Sequence, residues 1–379
     1  VSGRGRKLLA LGLGTVAALL LAEVSVRIFE ASRPALVTKR WLIREKPSRV
    51  LYHCYPTNPH GEFRSLPDIS SGTWRLETAL LDPLPVPLSR LSETPYCVEY
   101  RESSQGLRED RILGPQPPSG VVRILGVGDS FAVGEGVPRE LSLFPQLETL
   151  LGRDHEVINA ARPGADTHEE AATLRRLAAA FGCTRGLLIF VPNDVKLTPE
   201  LGSAQSYIND LINVRVENLE TTSPGWSAGP SRLIGLLASV LQARRIEGET
   251  LQWYRDSYDP ALNGGNLRRL AEDFARVASI PGCRVAVVLY PLLLPPEKGV
   301  YPLRAVHERV AEMATRAGLP VLDLADTFPF QDADSLWVHP IDRHPNGRAH
   351  GIAAKAVARW LRDEVPGFLD EDSGKDSGG

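Results

Sequence analysis

From Val121 onward, short apolar runs alternate with longer stretches of helical period. Val121, Val122, Ile124, Leu125 and Val127 are apolar, rich in β-branched residues and without helical period, and the run stops at Gly128-Asp129-Ser130. Such a run reads as a central parallel strand covered on both faces. The same pattern predicts strands at Val157–Asn159, Gly186–Val191, Val285–Tyr290 and Val321–Asp323. Between and after them, helices are predicted near Leu141–Leu151, Thr167–Ala180, Asn266–Ala278, Leu303–Ala317 and Arg348–Arg362. Repeated strand-helix alternation implies an α/β fold with a parallel sheet and helices on both faces. Residues 196–262 interrupt the rhythm; they contain one predicted helix, Leu233–Arg245, and read as an insertion that could cover a site.

The pattern upstream is different. Arg4, Arg6 and Lys7 precede Leu8–Ala22, a stretch with no charged residue, and Glu23 and Arg27 follow it four residues apart, in the order that favours pairing on a helix. Extended to Ile28, the segment is long enough to cross ~30 Å of hydrocarbon at ~1.5 Å per residue. Basic residues ahead of it predict a cytoplasmic amino terminus, a single-pass membrane anchor and an extracytoplasmic main domain. A cleaved signal peptide and a buried soluble helix are the alternatives; Leu20-Leu21-Ala22 lacks the small residue that a cleavage site carries. Residues 31–118 are irregular and proline-rich, with runs such as Asp82-Pro83-Leu84-Pro85-Val86-Pro87 that continue neither a helix nor a central strand. The expected division is therefore an anchor over residues 1–30, a lead-in or spacer that partly packs on the main domain over 31–118, the main domain over 119–365, and a disordered polar tail over 366–379.

Composition narrows the function without naming it. In 379 residues, 43% are hydrophobic and 23% charged, as in an ordinary globular protein. Forty-three basic residues against 46 acidic ones leave a net charge of -3, so no basic field for nucleic acid exists and no nucleic-acid partner is expected. Cys54, Cys97, Cys183 and Cys283 permit disulfides in an exported domain, Cys54 with Cys97 and Cys183 with Cys283 among the pairings; buried free thiols are an equal reading.

Parallel strands bring their carboxyl ends to one rim, and polar groups follow the first three strands: Ser130, the loop Asn159–Gly164, and Asn193. A serine becomes a nucleophile only when a base takes its proton and donors stabilise the oxyanion. His344, just before the last helix, is the candidate base, and Asp342 the candidate group that orients its ring. Donors for an oxyanion are the Ser130 N–H, the Gly164 N–H and the Asn193 side chain. Asp129 and Asp194 read as supporting residues that hold their turns. His339 and His350 accompany His344, but their spacing fits no metalloprotease helix, so no metal is expected.

These blocks, in this order, resemble the SGNH or GDSL hydrolases: Gly128-Asp129-Ser130, the glycine of Asn159-Ala160-Ala161-Arg162-Pro163-Gly164, Asn193-Asp194, and Asp342 with His344. The resemblance covers Val121 to Arg362, and Gly106-Leu107-Arg108 resembles a short element that precedes the domain in membrane-anchored bacterial members. It implies a flavodoxin-like three-layer α/β/α fold with a central parallel sheet, preceded here by the transmembrane helix, and ester hydrolysis through a covalent acyl-enzyme without a cofactor. The chain departs from the family's pattern twice. The family usually places its aspartate three residues before the histidine, where this chain has Ile341, and a glycine two before the asparagine, where it has Val191. The expected activity is that of a serine esterase acting on carboxylic esters, O-acetyl esters included, with an ester-bearing small molecule or an acylated glycan as substrate. An O-acyltransferase acting on cell-surface glycans and a catalytically silent envelope-binding module are the alternatives.

Overall fold

The computed structural model describes residues 3–31, 40–44, 50–55, 75–78, 96–220, 231–339 and 342–371. The first element, α1 (Gly3–Ala31), contains the stretch Gly5–Ile28, with mean hydropathy 2.0 and no buried residue in its most apolar part. By length and composition it is able to cross a membrane.

Four short strands come next: β1 (Arg40–Arg44), β2 (Val50–Tyr55), β3 (Arg75–Thr78) and β4 (Tyr96–Arg101), in the order β3-β1-β2-β4 and antiparallel. The sequence pattern does not predict this sheet, because runs of four to six residues between proline-rich stretches are too short to show a period. Its register sets Cys54 opposite Cys97. The proline run Asp82–Pro87 and tail residues 372–379 lie outside the described residues, but the tail expected from residue 366 is ordered at its start: Phe368 is buried and its carbonyl accepts from Arg185 Nε at 2.6 Å, so the main domain runs past the expected boundary at 365.

The main domain runs β5 (Val122–Gly128), α2 (Ser130–Val133), α3 (Leu143–Leu151), β6 (His155–Asn159), α4 (Thr167–Ala180), β7 (Arg185–Phe190), α5 (Pro199–Glu220), α6 (Arg232–Ser257), α7 (Pro260–Ala278), β8 (Arg284–Leu289), α8 (Arg304–Arg316), β9 (Val321–Asp323), β10 (Trp337–His339), β11 (Asp342–Pro345) and α9 (Gly347–Asp363). Strands β5 to β9 form one parallel sheet in the order β6-β5-β7-β8-β9, the doubly wound order of flavodoxin-like folds. Every residue of β5 and of β7 is buried, as befits their apolar runs; the two arginines in them, Arg123 and Arg185, are held by Glu156 at 2.7 Å and by the Phe368 carbonyl at 2.6 Å. Helices α3 and α9 pack together on one side of the sheet, and α4, α7 and α8 on the other, giving three layers. The chain winds from β5 outward to β6 and then back across β5 to β7. Ligands bind open α/β sheets at such a switch point, beyond the carboxyl ends of the strands.

The interruption over 196–262 holds two long helices rather than one. Helix α6 extends twelve residues past the predicted Arg245, to Ser257, because Ile246, Leu251, Trp253 and Tyr254 bury a second apolar stripe. Helix α5 was unpredicted, since serine, asparagine and aspartate are scattered through its length.

Candidate active site

Three strand ends build the site. At the end of β5 the backbone turns sharply at Gly128, whose φ is 154°; a side chain there would meet the Ala132 Cβ at 2.5 Å and the Ile189 carbonyl oxygen at 2.9 Å. The turn delivers Ser130 as the first residue of the one-turn helix α2. Asp129 caps that helix, its Oδ1 accepting from the Phe131 N–H at 2.8 Å. Asp129 is fully buried, and its Oδ2 accepts from the Asn193 side-chain amide at 2.9 Å. The carboxylate thus ties the serine turn to the loop after β7, while Asn193 itself stays exposed. Burial raises the Asp129 carboxyl above its usual range, and the bonds from Asn193 and Phe131 oppose that rise.

His344 Nε2 lies 2.8 Å from Ser130 Oγ, and His344 Nδ1 is hydrogen-bonded to Asp342 Oδ1. Asp342 is fully buried and also accepts from the His344 N–H at 3.1 Å. The two-residue spacing follows from the local structure. Asp342–Pro345 is a strand, β11, and residues i and i+2 of a strand share a face. Arg343 between them is directed elsewhere, its guanidinium 4.5 Å from the centre of the Trp337 ring. The His344 ring also rests against Phe131, centroid to centroid at 5.2 Å.

The loop after β6 continues the pairing of β5. Ala160 N–H donates to the Gly126 carbonyl and Arg162 N–H to the Gly128 carbonyl, each at 2.9 Å, which holds the following turn beside the serine. Gly164 in that turn is exposed, with φ 72° and nothing within 4 Å of the position a Cβ would take. Asp194 closes the turn after β7, accepting from the Val191 N–H at 2.6 Å. Its second oxygen and both oxygens of Glu170 have no hydrogen-bond partner among the described residues. Burial first, and then neighbouring negative charge, that of Asp129 on Glu170 and that of Glu170 and Asp129 on Asp194, pushes both carboxyls well above the usual range.

Several contributors make contacts that carry no signal in the sequence pattern. Arg108 is buried, and its guanidinium donates to the carbonyls of Val133, Gly134 (2.8 Å) and Val137 (2.6 Å). Tyr100 lies under the same guanidinium, 4.2 Å from ring centre to Cζ, and its hydroxyl meets the Gly136 N–H. The lead-in thus holds the loop that follows Ser130. That loop carries Glu135, nearly buried, with Oε2 3.8 Å from His344 Nε2. Glu135, Asp342 and His344 present donor atoms within 4.8 Å of one another and form a conceivable cation site. The hydrogen bonds to Ser130 and Asp342 already occupy both ring nitrogens, so an ion would have to displace one of them. His350 lies apart in α9, fully buried, and His339 is buried in β10.

No family model and no curated protein matches the chain. Solved structures do. The chain is similar to solved structures of esterases and of a lipolytic protein of the G-D-S-L family. They include the M. smegmatis aryl esterase in an inhibitor-bound form, with 16% identity over 64% of this chain and 99% of that one and a TM-score of 0.33. A second is Est24, a carbohydrate acetylesterase from Sinorhizobium meliloti, with 14% identity over 64% and 98% of the two chains and a TM-score of 0.34. A third is TesA, with 18% identity over 63% and 98% and a TM-score of 0.33.

Proposed function

We propose that this chain is a serine ester hydrolase of the SGNH type that works through a covalent acyl-enzyme. The observation that carries the reading is the unbroken hydrogen-bond chain from Ser130 Oγ through His344 to buried Asp342, at the carboxyl end of a central parallel strand. In the first half-reaction Ser130 Oγ attacks the ester carbonyl as His344 Nε2 takes its proton. The tetrahedral intermediate collapses, the C–O bond to the alcohol breaks, and His344 returns the proton to the departing alcohol oxygen. Water then repeats the sequence on the acyl-enzyme, releasing the carboxylic acid and restoring Ser130. Asp342 fixes the imidazole tautomer and stabilises the imidazolium. The Ser130 N–H, the Gly164 N–H and one amide hydrogen of Asn193 stabilise the oxyanion; the second amide hydrogen of Asn193 is held by Asp129. Asp129 and Asp194 support the turns that carry these donors.

The same proposal takes α1 as a single-pass anchor with the main domain outside the cytoplasm. It is supported by the apolar stretch Gly5–Ile28 and by the basic residues at the start of the helix. Acetylated glycans are candidate substrates alongside small esters.

The test is fluorophosphonate labelling of the full chain in detergent, with the adduct located by mass spectrometry and with Ser130→Ala and His344→Ala alongside. An adduct on Ser130 that both substitutions abolish is the expected result; a folded protein without any adduct overturns the reading. Assays with acetylated xylan, run with and without an unacetylated glycan acceptor, then separate hydrolysis from acyl transfer.

A further inference from the structure

Helix α6 begins against α1. Glu23 of α1 accepts hydrogen bonds from the Ser231 hydroxyl at 2.7 Å and from the Arg232 and Leu233 N–H groups, each at 2.9 Å. These N–H groups lie in the first turn of α6, where a helix has no internal acceptors and carries a partial positive charge. Arg27 holds the same carboxylate at 2.8 Å. The carboxylate thus serves as a cap supplied by a different helix, more than two hundred residues away in sequence.

The opposite end of α6 is built into the main domain. Ile246, Leu251, Trp253 and Tyr254 are buried there, and Trp253 Nε1 donates to the Leu201 carbonyl at 3.0 Å. Its amino-terminal half therefore cannot roll to hide its own apolar side chains, and it does not hide them. Ile234 is 68% exposed, Leu237 56%, Val240 45% and Leu241 67%. At ~100° per residue these four fall on one arc of the helix, and the exposed Arg244 and Arg245 continue that arc one turn further on. Arg245 also pairs with Glu249 at 2.8 Å. No acidic residue occurs from Ser231 to Ile246.

We propose that the amino-terminal half of α6 lies in the interfacial layer of the bilayer that α1 spans, with Glu23 docking it there. The inference rests on the reading of α1 as a span. An apolar arc bordered by arginines and free of acids matches acyl chains beneath anionic headgroups. Its continuity with the span selects the lipid surface over other occupants: the cap residue Glu23 lies near the carboxyl-terminal end of Gly5–Ile28, at the level where α1 leaves the hydrocarbon on this reading. The far end of α6 reaches the candidate site, since the Tyr258 hydroxyl just beyond it donates to the Pro192 carbonyl next to Asn193 at 2.8 Å. A helix of 26 residues, ~39 Å long, thereby ties the site to the lipid surface.

The test reconstitutes the full chain in phosphatidylcholine–phosphatidylglycerol vesicles and labels it with a bilayer-confined aryl diazirine, mapping the adducts by mass spectrometry. Adducts on α1 and on residues 233–241 are expected. Adducts on α1 with none on 233–241 overturn this inference and leave the anchor standing; no adducts on α1 overturn the anchor and the inference with it. The double variant Leu237→Glu, Leu241→Glu is expected to lose labelling on α6, keep it on α1 and hydrolyse a soluble ester at the unaltered rate. Glu23→Ala is expected to lower the ratio of α6 to α1 labelling, and an unchanged ratio removes the docking role. Crosslinks between α6 segments of two chains, in place of lipid adducts, would assign the arc to a second copy and overturn the proposal.

Discussion

Arg108 donates to the Gly134 carbonyl at 2.8 Å, a contact that joins the lead-in to the loop immediately after the candidate nucleophile. The same guanidinium also meets the carbonyls of Val133 and Val137, so one buried cation satisfies three backbone acceptors. Both terminal nitrogens of the guanidinium are used in this way, which offsets the cost of burying the cation. Arg108→Ala is expected to cost about 3 kcal/mol or more, since it leaves these carbonyls buried without partners. That corresponds to a fall in Tm of roughly 10 °C. Fluorophosphonate labelling of Ser130 should slow in the variant at temperatures where it remains folded, because the loop leading from α2 loses its tether. A melting curve unchanged within error would show that the lead-in does not hold this loop in solution.

Asp342 and His344 share a face of β11, and the carboxylate is fully buried behind the ring. Asp342→Asn keeps the size of the side chain but replaces an acceptor that stabilises the imidazolium with a neutral amide. On the proposed mechanism kcat falls by on the order of 10³- to 10⁴-fold. KM and Tm should move little. A loss under tenfold in steady-state kinetics would remove Asp342 from the catalytic group.

What was legible in the sequence follows from what leaves a trace in side chains. Strands β5 and β7 are buried on both faces, so their apolar runs mark them, and the polar residues just beyond, Ser130 and Asn193, mark the rim. Alternation gives the parallel sheet with helices on both faces, while the order of strands around β5 comes only with the flavodoxin-like fold that the resemblance implies. The spacing of Asp342 and His344 departs from the family's three-residue pattern, and β11, four residues long and ending in Pro345, is too short to show the period of two that accounts for it. Arg108 stands out in the sequence only within the motif Gly106-Leu107-Arg108, and its contact is illegible for another reason. Its partners are backbone carbonyls, which every residue has, so no complementary side chain announces the contact. Glu135 sits five residues past Ser130 on a glycine-rich turn, and only the fold of that turn brings it to the His344 ring.

Glu135 places a second carboxylate 3.8 Å from His344 Nε2, on the side from which proton transfer to and from substrate occurs in the proposed mechanism. A negative charge there opposes acyl groups that carry their own carboxylate. Even a partly screened repulsion of about 1 kcal/mol changes a rate ratio roughly fivefold. Glu135→Gln is therefore expected to raise kcat/KM for p-nitrophenyl hemisuccinate relative to p-nitrophenyl acetate by about 5- to 10-fold. Substrate charge should matter most at low ionic strength, where screening is weakest. An unaltered ratio between the two esters would mean that Glu135 does not face the acyl group.

His350 lends the main domain a dependence on acid. It is fully buried in α9, its ring 6.3 Å from that of Tyr290, and among the described residues neither ring nitrogen has a hydrogen-bond partner. Burial, followed by the charges of Arg108 and His344, lowers its pKa from 6.5 to about 3. In the unfolded chain the ring takes up a proton as pH drops through its ordinary value, whereas in the folded chain it stays neutral until near the depressed one. This contribution to stability is therefore complete above the ordinary value and is lost as pH falls, by about 1.4 kcal/mol per pH unit and about 2 kcal/mol by pH 5. His350→Leu removes the proton-binding difference and should flatten the decline in Tm between pH 7 and pH 5, whatever its effect on Tm at neutral pH. Buried Glu170 acts with the opposite sign. Its raised carboxyl contributes stability that is complete below the ordinary carboxylate value and lost as pH climbs from there through the raised one, so Glu170→Gln should lessen the loss of Tm as pH rises. Parallel melting profiles for wild type and both variants across the whole range would refute both assignments.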